Sequence, residues 1–334
     1  MGKRQGRVKY NDCLPKGMRN KGRLINLSNM PLNLPKTLTD FKKIVVMPDY
    51  SPNHGLPTGV VAIFDKEKHD KKGGINPEYL GNDVGCGMLL AKFDLELVDL
   101  EDITNQIASR LMGIRKGMGS LGGGNHFVTF YQVSESSVDS LQFNDWVVLI
   151  HSGSRNMGRR HYQTKSIGSN YLEEQQAVIE YAKNNRKKLL YIVEEICSQD
   201  SKLLVDRVHN FIEVSNSEVI YRKGAVKVES GDLTVIPSSM SGYATLVMAN
   251  ENIGTLEYSL PHATGRRISR RDAKQHSYFL DGFPSGIYVP YFISPEGLNE
   301  ELPENYRKLD EILGKIAGYV SIKATFIPKS TIML

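Results

Sequence analysis

The chain has 334 residues, of which 40% are hydrophobic and 24% charged, with a net charge of +5 at neutral pH and a pI near 8.9. No apolar run approaches membrane-spanning length, and Cys13, Cys86 and Cys197 are too few and too scattered for a disulfide framework. The mildly basic balance fits a nucleic-acid or phosphate ligand without requiring one.

The basic start "MGKRQGRVKY" leads into no apolar segment and is not expected to be a secretory signal, so a soluble, cytoplasmic protein is expected. "KKIVVMPDY" and "TGVVAIFD" read as strands rich in β-branched residues, joined by the Pro/Gly loop "SPNHGLP". "GMLLAKFDLELVDL" reads as a strand, followed by a helix over Asp99 to Met112. "HFVTFYQV" and "DWVVLIH" read as strands with a glycine-rich turn at one end. Residues 171–204 form the longest helical stretch, and "EVIYRKGAVKVES", "LTVIPSS" and "YATLVMAN" read as short strands. A helix near "RRDAKQHSYF" and another from Glu304 to Ala317 precede a last strand, "YVSIKATFI". Strands and helices mix without a regular βαβ period, which predicts an irregular α+β fold in one domain spanning residues 1–334.

The stretch "GNDVGCGM" sets Asp83 and Cys86 three residues apart among glycines. It is either a tight turn that happens to hold a thiol, or part of a metal site. Four histidines keep similar company: His126 in "GGGNHF", His151 opening "HSGSR", His209 in "VHNF" and His262 in "PHATGRR". Each lies where an element meets a loop, beside Gly, Ser or Asn, where backbone amides can approach a phosphate. His69, His161 and His276 are flanked by charged or polar residues and are expected to be solvated. One carboxylate, one thiolate and four imidazoles exceed a structural tetrahedral zinc site. They suit a catalytic site with open coordination positions or two metals sharing ligands, and Mn, Zn, Fe and Co all stay open.

The strings "MPDYSPNHGLPTGVVAIFD", "GNDVGCGM", "SLGGGNHF", "HSGSR", "VHN" and "PHATGR" stand in the order found in the RtcB family of RNA ligases. The chain resembles a short, divergent member of that family from about residue 43 to "IKATFIPKS". The resemblance implies mixed and antiparallel sheets around a central metal-lined cleft flanked by helices. It implies two Mn²⁺ ions held by Asp83, Cys86, His126, His151 and His209, with Cys86 as bridging thiolate. It implies His262 as nucleophile toward GTP, forming a histidine–GMP intermediate that activates RNA 3′-phosphate or 2′,3′-cyclic phosphate ends for joining to 5′-hydroxyl ends, in RNA repair or tRNA splicing. Asn125, His126, Asn210, Arg155, Gly265 and Arg266 would hold the nucleotide with His262; Ser239, Tyr306 and Lys329 would form the guanosine pocket. Tyr306 could equally be an ordinary residue of an amphipathic helix. Arg267, Arg270 and Arg271 extend the basic patch toward RNA or are simply solvated.

Departures from the family pattern cluster in the nucleotide pocket: Thr129 replaces a glutamate, Ala244 a serine, and Ala263 a glycine. Two other readings stand beside the ligase: a metal-dependent phosphoesterase on the same scaffold, and a non-catalytic RNA-binding relative. An activating protein partner is a further expectation, and none of membrane association.

Overall fold

The computed structural model describes residues 23–94, 99–164, 169–275, 286–293 and 298–334. Cys13, His276 and the parts of two predicted elements at 95–98 and beyond Gln275 lie outside these residues. The expected α+β architecture holds, with strands in mixed and antiparallel sheets.

A five-stranded sheet has the order β1-β2-β3-β9-β8, built from β1 (Arg23–Asn26), β2 (Phe41–Ser51), β3 (Thr58–Asp65), β9 (Glu218–Lys223) and β8 (Asn210–Val214). β1 pairs parallel with β2 and the other neighbours are antiparallel. A seven-stranded antiparallel sheet has the order β11-β12-β14-β5-β6-β4-β7. Its strands are β11 (Leu233–Pro237), β12 (Ala244–Ala249), β14 (Val320–Ile332), β5 (Phe127–Ser136), β6 (Trp146–Ser152), β4 (Gly87–Phe93) and β7 (Ser201–Val208). β10 (Ala225–Lys227) and β13 (Ser259–Pro261) form a separate antiparallel pair.

The central strands read as continuous apolar runs because both of their faces are covered. In β4, Leu89, Ala91 and Phe93 pack with Ile107 and Leu111 of α2 (Leu100–Gly113) and Leu189 and Val193 of α4 (Ser169–Cys197). The alternate residues Met88 and Leu90 enter a second cluster with Tyr131, Leu149 and Phe326 on the opposite face. β3 splits likewise, Val60, Ala62 and Phe64 to one side and Val61 and Ile63 to the other.

Two predicted helices are shorter than the sequence suggested. α4 ends at Cys197, where Ser198 turns into the left-handed region at φ 53°, and residues 201–208 are strand β7. The helix expected over Glu304–Ala317 is Leu309–Ile316, here α6; Pro303–Asn305 is a single 3₁₀ turn and Tyr306 is extended. The short α1 (Lys66–Lys71), α3 (Asn156–Thr164) and α5 (Arg270–Gln275) complete the described helices. Contrary to expectation, His69 and His161 are buried. The charged neighbours of His69 lie on the outer side of α1, whereas its imidazole faces Phe64 and Tyr221 and its Nε2 stands 3.0 Å from the Tyr221 hydroxyl. His161 packs on Tyr171, with Nδ1 3.2 Å from Glu174.

Candidate metal and nucleotide site

Four neighbouring strands deliver four of the singled-out residues to one edge of the seven-stranded sheet. His126 immediately precedes β5, His151 lies near the end of β6, Cys86 immediately precedes β4 and His209 follows β7. In the ladder, Phe127 pairs with His151, and Gly87 with both Ser152 and Val208. The turn before Cys86 needs its glycine: Gly85 has φ +79°, and a Cβ there would press on Ala182 and on the backbone of Ile179 in α4. The turn is locked from behind, because Gly85 N–H donates to Asn210 O and His209 N–H to Cys86 O, each at 2.9 Å.

Cys86 Sγ, His151 and His209 each present a ligand atom within 4.8 Å of the others, and all three residues are buried. Sγ lies 3.3 Å from His151 Nε2 and 3.5 Å from His126 Nε2. Sulfur and nitrogen donors about 2.3 and 2.1 Å from one shared ion would stand about 3.6 Å apart at a tetrahedral angle. The tautomer agrees: His151 Nδ1 donates to Asn125 O at 2.9 Å, which leaves the Nε2 lone pair facing the thiol. His209 Nδ1 is buried and has no hydrogen-bond partner among the described residues, and a buried polar atom calls for one. These donors fit a metal ion.

Burial, not charge pairing, sets the protonation of the cluster. It pushes the Cys86 thiol up to about 12, with the Asp83 charge adding to the rise. It holds His126 down to about 3 and lowers His151 and His209 well below the usual imidazole range. Neutral imidazoles are what a metal needs, and a bound cation would itself draw the proton from the thiol.

The remaining expected ligands stand at the margin. Asp83 is exposed at the end of a 3₁₀ turn, outside the three-residue cluster, with its carbonyl accepting from Asn210 Nδ2 at 3.1 Å. His126 Nδ1 lies 3.2 Å from Arg155 Nη1, and Arg155 itself holds a left-handed φ of 56°. A non-glycine residue there marks a backbone held against preference, a cost tolerated at functional positions.

His262 follows β13 and enters from the other side. Its ring centroid is 4.6 Å from that of His209 and 6.4 Å from that of His151. Its Nδ1 donates to Asp49 Oδ2 at 2.7 Å and lies 3.1 Å from Gly224 O. Asp49, wholly buried in the irregular end of β2, is a site residue the sequence reading did not single out. The arrangement is that of an imidazole fixed through Nδ1 by a carboxylate, with Nε2 left as the basic, nucleophilic nitrogen.

A cavity opens between these histidines and β14, walled by Asn125, Ser239, His262, Tyr306 and Thr129 among others. Thr129 is occupied by a 2.7 Å hydrogen bond to Thr331 across the β5–β14 ladder. The cavity has a carboxylate elsewhere, at Glu301, another residue not anticipated. Glu301 accepts from the Tyr306 hydroxyl and from Arg266 Nη1 at 3.2 Å, and Arg266 also stacks over the Tyr306 ring at 5.0 Å. Tyr306 is therefore a wall of this cavity and no helix residue. Ala244 packs into the core of the seven-stranded sheet, and Ala263 lines the cavity. Lys329 sits at the bulge of β14 between Pro328 and Ser330 and is not among the cavity's lining residues. Asn210 is turned to the backbone, accepting from Gly224 N–H at 2.7 Å. Gly265, at φ +70°, carries the bend from His262 toward Arg266. Arg270 reaches back to Glu300 and Glu301 at 3.8 and 3.9 Å, whereas Arg267 and Arg271 are exposed.

Among the described residues no helix is long and apolar enough to cross a membrane. The family described as "tRNA-splicing ligase RtcB" matches residues 26–114, 112–164 and 161–333. The chain is 30% identical over 293 residues to the RNA-splicing ligase RtcB2 of Escherichia coli (strain ATCC 25922), with 75% of each chain covered. It is 22% identical to the tRNA-splicing ligase RtcB of Nanoarchaeum equitans, with 98% of this chain and 94% of that one covered. Against the tRNA-splicing ligase RtcB of Thermococcus kodakarensis it is 24% identical, over 97% and 93%. With matches spanning nearly all of its length, and its Cys86, His151 and His209 gathered beside His262, the chain belongs to the RtcB family.

Proposed function

We propose that the protein is a GTP- and manganese-dependent RNA ligase that joins 3′-phosphate or 2′,3′-cyclic phosphate ends to 5′-hydroxyl ends, in RNA repair or tRNA splicing. The observation that carries the reading is His262, held by Asp49 through Nδ1 and set 4.6 Å, ring to ring, from a histidine of the Cys86–His151–His209 cluster. A metal-binding module would not need a second, carboxylate-oriented imidazole at that place.

In this reading His262 Nε2 attacks the α-phosphorus of GTP. A P–N bond forms, the bond to the bridging oxygen breaks, and pyrophosphate leaves. Asp49 keeps the Nδ1 proton in place and stabilises the positive charge that develops on the ring. An RNA 3′-phosphate oxygen then takes the guanylyl group and breaks the P–N bond. A 5′-hydroxyl attacks the activated phosphate, and GMP leaves; a cyclic phosphate end would first be opened by water. Manganese held by Cys86, His151 and His209, with His126 and Asp83 beside them, would supply neutralisation of phosphate charge. Arg155 would steady the phosphates by a charge-assisted fork, and Ser239 and Tyr306 would line the nucleoside.

Intact-mass spectrometry after incubation with GTP and Mn²⁺, kept near neutral or alkaline pH, tests the reading. A guanylyl mass on the wild type but not on His262→Ala supports it. Metal-loaded protein that acquires no nucleotidyl mass from any nucleoside triphosphate would refute it and favour the phosphoesterase.

A further inference from the structure

We infer that Asn185 and Arg186, adjacent side chains in the middle of α4, are positioning residues for the metal cluster, holding the loops that carry Cys86, His126 and His151 in mutual register. The inference rests on the reading of Cys86, His151 and His209 as metal ligands. Both residues are wholly buried. Asn185 accepts from Gly119 N–H at 2.7 Å and donates Nδ2 toward Ser120 O and Ser152 Oγ at 3.1 Å, with Gly153 O at 3.4 Å. Arg186 Nη1 donates to Gly85 O at 3.2 Å and Ser152 O at 3.1 Å, and its Nε to Asp206 Oδ1 at 2.7 Å.

The acceptors have a pattern. Gly85 immediately precedes Cys86, Ser152 immediately follows His151, and Ser120 opens the glycine loop that ends at His126. Asp206 lies on β7, three residues before His209. The two side chains thus reach every segment that brings a candidate ligand into the cluster. The pairing of β4, β5, β6 and β7 ends at Phe127–His151, Gly87–Ser152 and Gly87–Val208, so backbone carbonyls just beyond it have no ladder partner. Buried carbonyls need donors from elsewhere. A guanidinium and an amide supply several from rigid groups, and the surrounding carbonyls in turn satisfy a cation that would be costly to bury alone. A helix packed merely for stability would present Leu or Ile at these positions, as α4 does over the next two turns with Leu189, Leu190 and Val193.

The test is cobalt(II) titration of metal-stripped full-length protein, followed by the thiolate-to-cobalt charge-transfer absorption. The variants are Arg186→Lys, which keeps the charge but not the planar fork, and Asn185→Ala. Supporting groups of this kind are worth about 10–100-fold in metal affinity, so each variant is expected to weaken cobalt binding by about tenfold or more and to shift or weaken the band, while far-ultraviolet circular dichroism stays that of the wild type. Val219→Ala, buried at the end of β9 opposite Gly224 and the cluster, is the control: it lowers the melting temperature and leaves the cobalt dissociation constant alone. If Arg186→Lys does not fold, Asn185→Ala carries the same readout. A dissociation constant and band within twofold of wild type in folded variants overturns the inference. A wild type that takes up no cobalt removes the metal reading itself, and the inference with it.

Discussion

Asp49→Asn separates the orientation of His262 from its electrostatic support. The Asp49 carboxylate is wholly buried and accepts from His262 Nδ1 at 2.7 Å. A hydrogen bond to a charged partner contributes about 1.5–3 kcal/mol net and a neutral one about 0.5–1.5. Replacing carboxylate by amide therefore removes about 1–2 kcal/mol of support for the charge that builds on the ring during attack, a rate loss of about 5–30-fold. The loss stays far below the roughly 10⁴-fold seen when a catalytic histidine takes the wrong tautomer. Gly224 O, 3.1 Å from the same Nδ1, still accepts its proton and holds Nε2 basic. The assay is the single-turnover rate of guanylyl transfer to the protein at saturating GTP and Mn²⁺, read by intact mass, with metal content checked in parallel. A rate within twofold of wild type would show that Asp49 does not support the nucleophile. A loss beyond 10³-fold with metal retained would show that Gly224 cannot hold the tautomer.

Three further outcomes are expected. Because burial pushes the Cys86 thiol up to about 12 and keeps the cluster histidines neutral, metal binding expels one proton, from Cys86. Cobalt affinity should rise about tenfold per pH unit between pH 6.5 and 8.5, and Cys86→Ala should flatten that slope; a wild-type slope of two would place a second proton on the cluster. Burial also lowers His69, so the folded state resists a proton that the unfolded state accepts below about pH 6.5. Stability is then full above that pH and lost as pH falls through it; His69→Gln should show a shallower acid slope in denaturant melts, and an unchanged slope would assign the loss elsewhere. Glu301 is the carboxylate of the cavity, so Glu301→Gln should narrow any preference for GTP over ATP in adduct formation by roughly tenfold; an unchanged ratio would mean the base is read elsewhere.

Much of the fold was legible because its strands are buried on two faces, which writes them as short apolar runs between Gly and Pro. "TGVVAIFD" and "DWVVLIH" fall on β3 and β6 for this reason. β1, β8 and β13 are three to five residues long, too short to show a period. The overshoot of α4 into β7 arose because "SKLLVDRV" carries Leu and Lys at spacings a helix would also use. The Cys and His residues of the site were legible as rare, chemistry-bearing types beside small residues. Asp49, Asn185, Arg186 and Glu301 are common types whose importance comes from burial, and burial is decided by the whole fold. A lone acid inside the apolar run of β2, and a polar pair on the buried face of α4, were the only signals available. The reverse error came from His69 and His161, whose charged neighbours occupy the opposite sides of short helices.

The candidate metal cluster and the candidate nucleophile belong to different structural units, and one glycine sits at the seam between them. Adjacent strands of a sheet lie about 4.8 Å apart, so an antiparallel edge that alternates strand starts and ends can place Cys86, His126, His151 and His209 within reach of shared ions although up to 123 residues separate them. His262 comes instead from the β10–β13 pair, which is tied to the cluster where Ala225 N–H donates to His209 O at 3.1 Å. Gly224 holds that seam at φ +62°, with its carbonyl on His262 Nδ1. A Cβ there would strike the Thr58 methyl and stand 3.2 Å from the imidazole. Left-handed backbone costs a non-glycine residue about 1–2 kcal/mol, and the clash should be relieved by moving the short β10–β13 pair, because Thr58 and Gly59 belong to β3 of the far more extensively paired five-stranded sheet. Gly224→Ala should thus lower the rate of guanylyl transfer at least tenfold while leaving cobalt affinity within about twofold of wild type. Equal loss of both would show that nucleophile and metal ligands move as one rigid body, with no mechanical seam at Gly224.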